Sequence, residues 1–447
     1  MDNRTQVLLT APPLKLLIKM ATPNSVAFFI QACVSLAEVW FIGRLGTTSL
    51  AAIALVFPFL MLTQTLAGGA TGGAVASAIA RAAGSGDTEK AEKLIWHALA
   101  VAVMGAVLLL VLFLLFGNWF LRFLGGQGEM LAQAHTYSII LFSGGISIWF
   151  LGVASAIFRG MGNMSLPAAM MIVSAFVQVP LSGALVLGGF GLPQLGVAGA
   201  AVSAVVAGSL VSILMLVALT RESLPIKLRI STCSFSRALF EDIFRVALPA
   251  SLSPVLTVAT IISLTAIVGR FGENALAGYG IGSRIEFLMI PLIFGLGAAM
   301  TSLVGMSVGA RNFTRAERIG WVGSCAAAGL AGVVGLSLAL VPDLWIPLFT
   351  EDPEIFAAAK AYIQIVGPGY AFFGLGLSLY FASQGASAML WPVLALLVRF
   401  GVAVGGALLL VSVSSLGLNG VFYAASTGMV TYGIIIAAAL KFGAWRQ

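Results

Sequence analysis

Charged residues along the chain fall in short clusters, and the stretches between them are long, continuous and apolar. Residues 20–43 hold a single charge, Glu38, and residues 94–121 hold none. Each stretch exceeds the roughly 20 residues that a helix needs to cross about 30 Å of hydrocarbon. The apolar positions do not alternate, which excludes a transmembrane β-barrel. Turn and charge signals divide them into twelve predicted spans: 16–43, 49–80, 94–121, 132–158, 165–188, 195–220, 246–269, 275–308, 318–349, 354–382, 390–414 and 418–440. The longest polar segment, 221–245, reads as a cytoplasmic linker between six-span lobes at 1–220 and 246–447.

The second half repeats the first. Pro23, Gly43-Arg44-Leu45-Gly46 and Leu50-Ala51-Ala52 return as Pro249, Gly269-Arg270-Phe271-Gly272 and Leu276-Ala277-Gly278, offset by 226. Ala91-Glu92-Lys93, Tyr137 and Gly160…Pro167 return at 225 as Ala316-Glu317-Arg318, Tyr362 and Gly385…Pro392. Six spans is an even number, so both repeats share one orientation, related by an axis along the membrane normal. The predicted fold is an all-α polytopic membrane protein of two six-helix repeats. Duplicated bundles of this kind place a substrate path where repeats meet.

Composition agrees with a membrane chain: 60% hydrophobic and 9% charged residues, with a mean hydropathy of +1.06, lie outside the range of soluble domains of this length. With the N-terminus inside, seventeen of the 23 Lys and Arg residues fall on the cytoplasmic side. Arg44, Arg122, Arg270 and Lys360 fall outside, while Arg284 and Arg399 lie deeper in spans. The positive-inside rule therefore predicts cytoplasmic termini and a multi-pass protein of the plasma (inner) membrane. The net charge of +7 then reflects loop composition and gives no reason to expect a nucleic-acid partner. Cys33, Cys233 and Cys325 have no motif spacing, and His97 and His135 have no ligand spacing around them, so no metal site is predicted. His97 and His135 read as surface or interfacial histidines.

Pro23-Asn24, Glu38, Phe41-Ile42-Gly43-Arg44-Leu45-Gly46 and Leu50-Ala51-Ala52 together resemble the first-helix signature of the multidrug and toxic compound extrusion (MATE) family, bacterial type. Gly278-Tyr279-Gly280-Ile281-Gly282-Ser283-Arg284-Ile285-Glu286 and Arg159-Gly160-Met161-Gly162-Asn163…Pro167 are further matches, in order, over essentially the whole chain. The resemblance implies V-shaped lobes and export of organic, often cationic or amphiphilic, compounds in exchange for H⁺ or Na⁺. It also aligns Gln178 and Ser182 with positions where family members often carry Asn and Asp, and Glu38 with a common Asp. Losing the second carboxylate weakens a Na⁺ cage.

Four ionisable residues fall inside spans: Glu38, Arg284, Glu286 and Arg399. Charges there are costly and face a cavity or a partner. Gln31 and Ser35 share a helical face with Glu38, so the three form the candidate ion-coupling group; protonation of Glu38 would remove the charge that burial penalises. The competing reading is that Glu38, near its helix end, simply reaches headgroups. Arg284 and Glu286, two apart, point to different faces. A Glu286–Arg399 ion pair across helices is therefore predicted, as a structural contact or a site of the C-terminal lobe. Gln178, Ser182, Tyr137 and Tyr362 are candidate cavity residues, with membrane anchoring the default for the tyrosines. Pro58, Pro180, Pro291 and Pro368 are predicted kinks.

No phosphate-binding loop, nucleophile elbow or zinc-protease motif occurs. The expectation is a secondary transporter, not an enzyme, with no cofactor beyond H⁺ (or Na⁺) as coupling ion. Its partners would be small organic substrates and membrane lipids, and the chain would be monomeric. A Na⁺-coupled antiporter and a lipid-linked precursor flippase of the same superfamily are the alternatives.

Overall fold

The computed structural model describes residues 3–189, 191–222 and 224–446. Residues 1 and 447, which bound the predicted lobes, lie outside them. The described chain runs through α1 (Asn3–Thr10), α2 (Pro13–Gly43), α3 (Thr47–Gln64), α4 (Gly72–Ser85), α5 (Thr88–Phe123), α6 (Gly128–Ser143), α7 (Gly145–Gly160), α8 (Ser165–Leu187) and α9 (Val197–Leu219). After the linker come α10 (Arg237–Gly269), α11 (Glu273–Gly309), α12 (Phe313–Leu340), α13 (Pro353–Val366), α14 (Tyr370–Gly385), α15 (Leu390–Phe400), α16 (Gly406–Val413) and α17 (Leu418–Lys441). Eleven segments are long and apolar enough to cross a membrane, and α6 with α7, bent by 49° at their junction, makes the twelfth. The twelve predicted spans are all present.

Their interiors differ from the prediction in instructive ways. Two spans contain π-helical segments, Thr65–Thr71 between α3 and α4 and Gly401–Gly405 between α15 and α16. Pro58, Pro180 and Pro291 sit inside continuous helices, whereas Pro368 lies in a 3-10 turn, Gly367–Gly369, that separates α13 from α14. The ninth span stops at Leu340, short of its predicted end. Helix α10 begins at Arg237, so the last part of the predicted linker is helical. Side chains such as Leu114 (62% exposed) and Leu115 (69%) on α5 need an apolar solvent around them, which lipid supplies.

Two compact units emerge. One comprises Val26–Ala247 with a few residues from the chain start; the other comprises Gln6–Ser25 and Leu248–Gln447. The boundaries fall beside the repeat-equivalent Pro23 and Pro249. In the second unit, α1 is held by Arg315, whose Nη2 donates to the carbonyls of Leu8 (2.9 Å) and Ala11 (2.8 Å). Trp445, near the chain end, is buried and donates to Ser383 Oγ at 3.2 Å.

The linker is docked on the first unit despite its polar composition. Trp96 Nε1 donates to the Arg229 carbonyl at 2.9 Å. Asp242 lies between Arg81 (2.5 Å) and Lys90 (3.4 Å). His97 is fully buried, not at the surface: Nδ1 meets the Lys93 carbonyl at 2.7 Å, and the Ser236 N–H donates to Nε2 at 2.9 Å. Within the linker, the Lys227 ammonium beside Glu222 holds that carboxyl below the usual carboxylate range.

Helix packing in the second unit rests on small residues at four-residue spacing. Gly278 and Gly282 lie on the face of α11 that meets α13. A Cβ at Gly278 would come within 2.6 Å of the Ala358 Cβ, and one at Gly282 would overlap the Tyr362 ring. One turn further on, the same face presents Glu286. Gly282→Val should therefore destabilise the fold by about 1–3 kcal/mol through overpacking. Gly280→Ala, where a Cβ meets nothing within 4 Å, should be neutral or stabilising. Thermal unfolding of the two purified variants beside the parent protein checks this order.

Candidate functional site

Glu38 on α2 does not reach outward to headgroups. Its Oε1 accepts a 2.7 Å hydrogen bond from Gln178 Nε2 on α8. The approach of α8 depends on Gly183, where a Cβ would lie 2.9 Å from the tip of the Phe41 ring on α2. Phe41 is one turn beyond Glu38, so the bare glycine lets the two backbones close on the carboxylate. Tyr137 on α6, almost fully buried, lies near enough to feel the Glu38 charge. Ser182, one turn from Gln178 on α8, is fully buried with its Oγ unpartnered. A carboxylate and an amide are thus joined across α2 and α8, with Tyr137 of α6 close by.

Gln31 and Ser35, expected to flank Glu38, do not form this group. Ser35 is exposed and turns its hydroxyl back to the Gln31 carbonyl at 3.3 Å, as serine inside a helix commonly does. Gln31 is half-buried. The groups that meet Glu38 come from other helices, which spacing along α2 alone cannot disclose.

The second unit holds a different polar cluster. Tyr362 on α13 donates to Glu286 Oε1 at 2.8 Å. Its ring lies edge-on between Tyr279 (5.4 Å) and Phe422 (5.2 Å). Arg399, at the end of α15, stacks over Phe373 (4.8 Å) and Tyr432 (5.6 Å). Its charge still acts on Glu286, but the direct Glu286–Arg399 ion pair predicted from sequence is not formed. Each side chain meets aromatic residues of a neighbouring helix before it can reach the other. Arg284 faces elsewhere, exposed and 5.4 Å from the Phe349 ring, as its two-residue offset from Glu286 implied.

Sequence reasoning missed Arg159. It is one of the seventeen basic residues that the sequence places on the cytoplasmic side, yet it is buried at the end of α7. Its Nη2 lies 3.5 Å from the Gly68 carbonyl, within the π-helical segment. A π-turn misaligns the carbonyl ladder, and a buried guanidinium beside it supplies donors. Among the described residues no group of three or more His, Cys, Asp or Glu side chains is arranged to hold a metal ion.

The MatE family model matches this chain twice, over residues 23–183 and 249–409. The chain belongs to the MatE family. The two matched stretches are the two repeats. Among relatives, it is 27% identical over 443 residues to a probable multidrug resistance protein NorM of Thermotoga maritima, covering 97% of this chain and 93% of that one. It is 26% identical over 381 residues to an FAD transporter of Shewanella oneidensis, covering 84% and 82%. A multidrug resistance MATE family transporter of the MOP superfamily, solved in an outward-facing conformation, superposes with a TM-score of 0.90 at 25% identity, covering 99% of this chain and 98% of that one.

Glu38 and Glu286, both half-buried, each have one protein donor among the described residues. Gln178→Leu should strand Glu38 and Tyr362→Phe should strand Glu286, each costing about 1.5–3 kcal/mol, the range for hydrogen bonds to charged groups. Gln364→Leu, on the exposed side of α13, should cost less than either. Melting temperatures in lipid nanodiscs give the comparison.

Proposed function

We propose that this chain is a secondary active efflux transporter of the plasma membrane, exporting organic compounds in exchange for H⁺, with Glu38 as the proton carrier of its first unit. The observation that carries this is the Glu38–Gln178 bond. A carboxylate with a single amide partner suits proton exchange, because a glutamine serves both protonation states. Its NH₂ donates to the carboxylate, and after a flip its carbonyl accepts from the neutral acid. The pair therefore stays satisfied whether or not the proton is present. Charged Glu38 favours a hydrated surrounding; neutral Glu38 tolerates a dry one. Proton binding can thus shift the first unit between two arrangements.

The relatives named above include a multidrug resistance protein and an FAD transporter, and an organic substrate is the class common to both. A Na⁺-coupled reading has one observation in its favour. The sealed, unpartnered Ser182 hydroxyl is an oxygen ligand that proton exchange leaves unused. With one carboxylate and neutral oxygens only, the H⁺ reading requires fewer unseen partners. The chain works as a monomer, and both termini lie in the cytoplasm, as the loop charges require.

Two measurements test the proposal. In proteoliposomes loaded with ethidium, efflux should follow an imposed pH gradient, and Glu38→Gln should abolish it while leaving folding and ethidium binding intact. Efflux that follows a Na⁺ gradient at clamped pH, or that survives Glu38→Gln, overturns the mechanism. For orientation, Glu89→Cys in a cysteine-free background should react with an impermeant maleimide only from the cytoplasmic side.

A further inference from the structure

We infer that Arg399 is the anchor of a second binding site, within the second unit, for an aromatic or apolar molecule carrying a carboxylate or phosphate group. The guanidinium carbon lies over two rings, 4.8 Å from the centre of Phe373 and 5.6 Å from that of Tyr432. Its five N–H donors lie in the plane, at the edges, and no protein acceptor among the described residues takes any of them. Glu286, the one carboxylate whose charge acts on it, is bonded instead to Tyr362. Arg399 is only 9% exposed, so its donors are largely withdrawn from solvent without a protein partner. A buried planar fork of this kind is matched by the two oxygens of a carboxylate or phosphate, which accept two parallel hydrogen bonds.

The surroundings favour a ligand over a purely structural cation. Arg399 stands two residues before the π-helical segment Gly401–Gly405, a type of distortion found often at functional sites. Phe373 and Tyr432 make the surroundings of the guanidinium aromatic and apolar.

The inference rests on the transport reading above only for the reason a ligand should be present; binding can be measured without any gradient. The probe is 2-naphthoate, compared with its neutral isostere 2-naphthamide and the cation 2-naphthylmethylammonium, titrated into protein in phosphatidylcholine nanodiscs. Naphthoate should bind about tenfold or more tighter than the amide. Arg399→Gln should erase that preference to within about twofold, and Arg399→Lys should keep part of it because charge survives without the fork. Equal affinity for acid and amide, or an acid preference unchanged in Arg399→Gln, overturns the site. If Arg399→Gln does not fold, the acid-to-amide ratio on the parent protein and on Arg399→Lys decides the matter. If phosphatidylglycerol instead raises the melting temperature in an Arg399-dependent way while naphthoate does not bind, the oxyanion is a lipid headgroup and the small-acid site is refuted. Failure here with intact Glu38-dependent ethidium efflux removes this site alone; loss of both removes the transport reading too.

Discussion

A polar group held in hydrocarbon has no water to turn to, so it must find its partner inside the protein or remain at a cost of several kcal/mol. Much of this chain's architecture follows from that constraint. Backbone groups meet it by helix formation along every span. Where a π-helical segment misaligns the ladder, the buried guanidinium of Arg159 stands beside the Gly68 carbonyl. Glycines at Gly183, Gly278 and Gly282 bring neighbouring helices close enough for short side-chain hydrogen bonds to form. Glu38 and Glu286 owe their partners to such close approaches.

The two repeats meet the constraint with different helices. At the repeat offsets, Leu264 stands where the first unit has Glu38, and Ser174 stands where the second has Arg399. What the units keep in common is the tyrosine. Tyr137 and Tyr362 hold equivalent positions, and each lies beside the carboxylate of its own unit although those carboxylates come from non-equivalent helices. Duplication preserved the buried aromatic wall and let the charges diverge upon it. In the first unit the acid at Glu38 bonds to an amide; in the second the acid bonds to a tyrosine and the base lies over aromatic rings.

Spans, repeat and family were legible because each depends on patterns many residues long. The length of an apolar run decides whether a helix can cross, whatever it packs against. The site was only partly legible. Glu38 stood out as a lone charge, and Gln178 and Ser182 were reached through resemblance, but the stripe of Gln31 and Ser35 misled. Helical spacing tells which residues share a face and not which neighbour that face meets. The Glu286–Arg399 pair misled for a related reason: opposite charges in one lobe need not touch when tyrosine can donate and aromatic faces can hold a guanidinium. Arg159 and His97 gave no signal, since a charge or imidazole at a span end reads alike whether it faces headgroups or its own lobe.

The compact units do not coincide with the two halves of the sequence. Gln6–Ser25 belongs with the residues from Leu248 onward, while the first three turns of α10, from Arg237 to Ala247, belong with the first unit. During synthesis, therefore, the first unit cannot be completed until the linker has emerged. The opening segment of the second unit must wait in the membrane while more than two hundred residues are made. A cut in the linker yields two fragments, each missing a helical segment that the other carries. The evolutionary seam and the folding seam of this protein are different places.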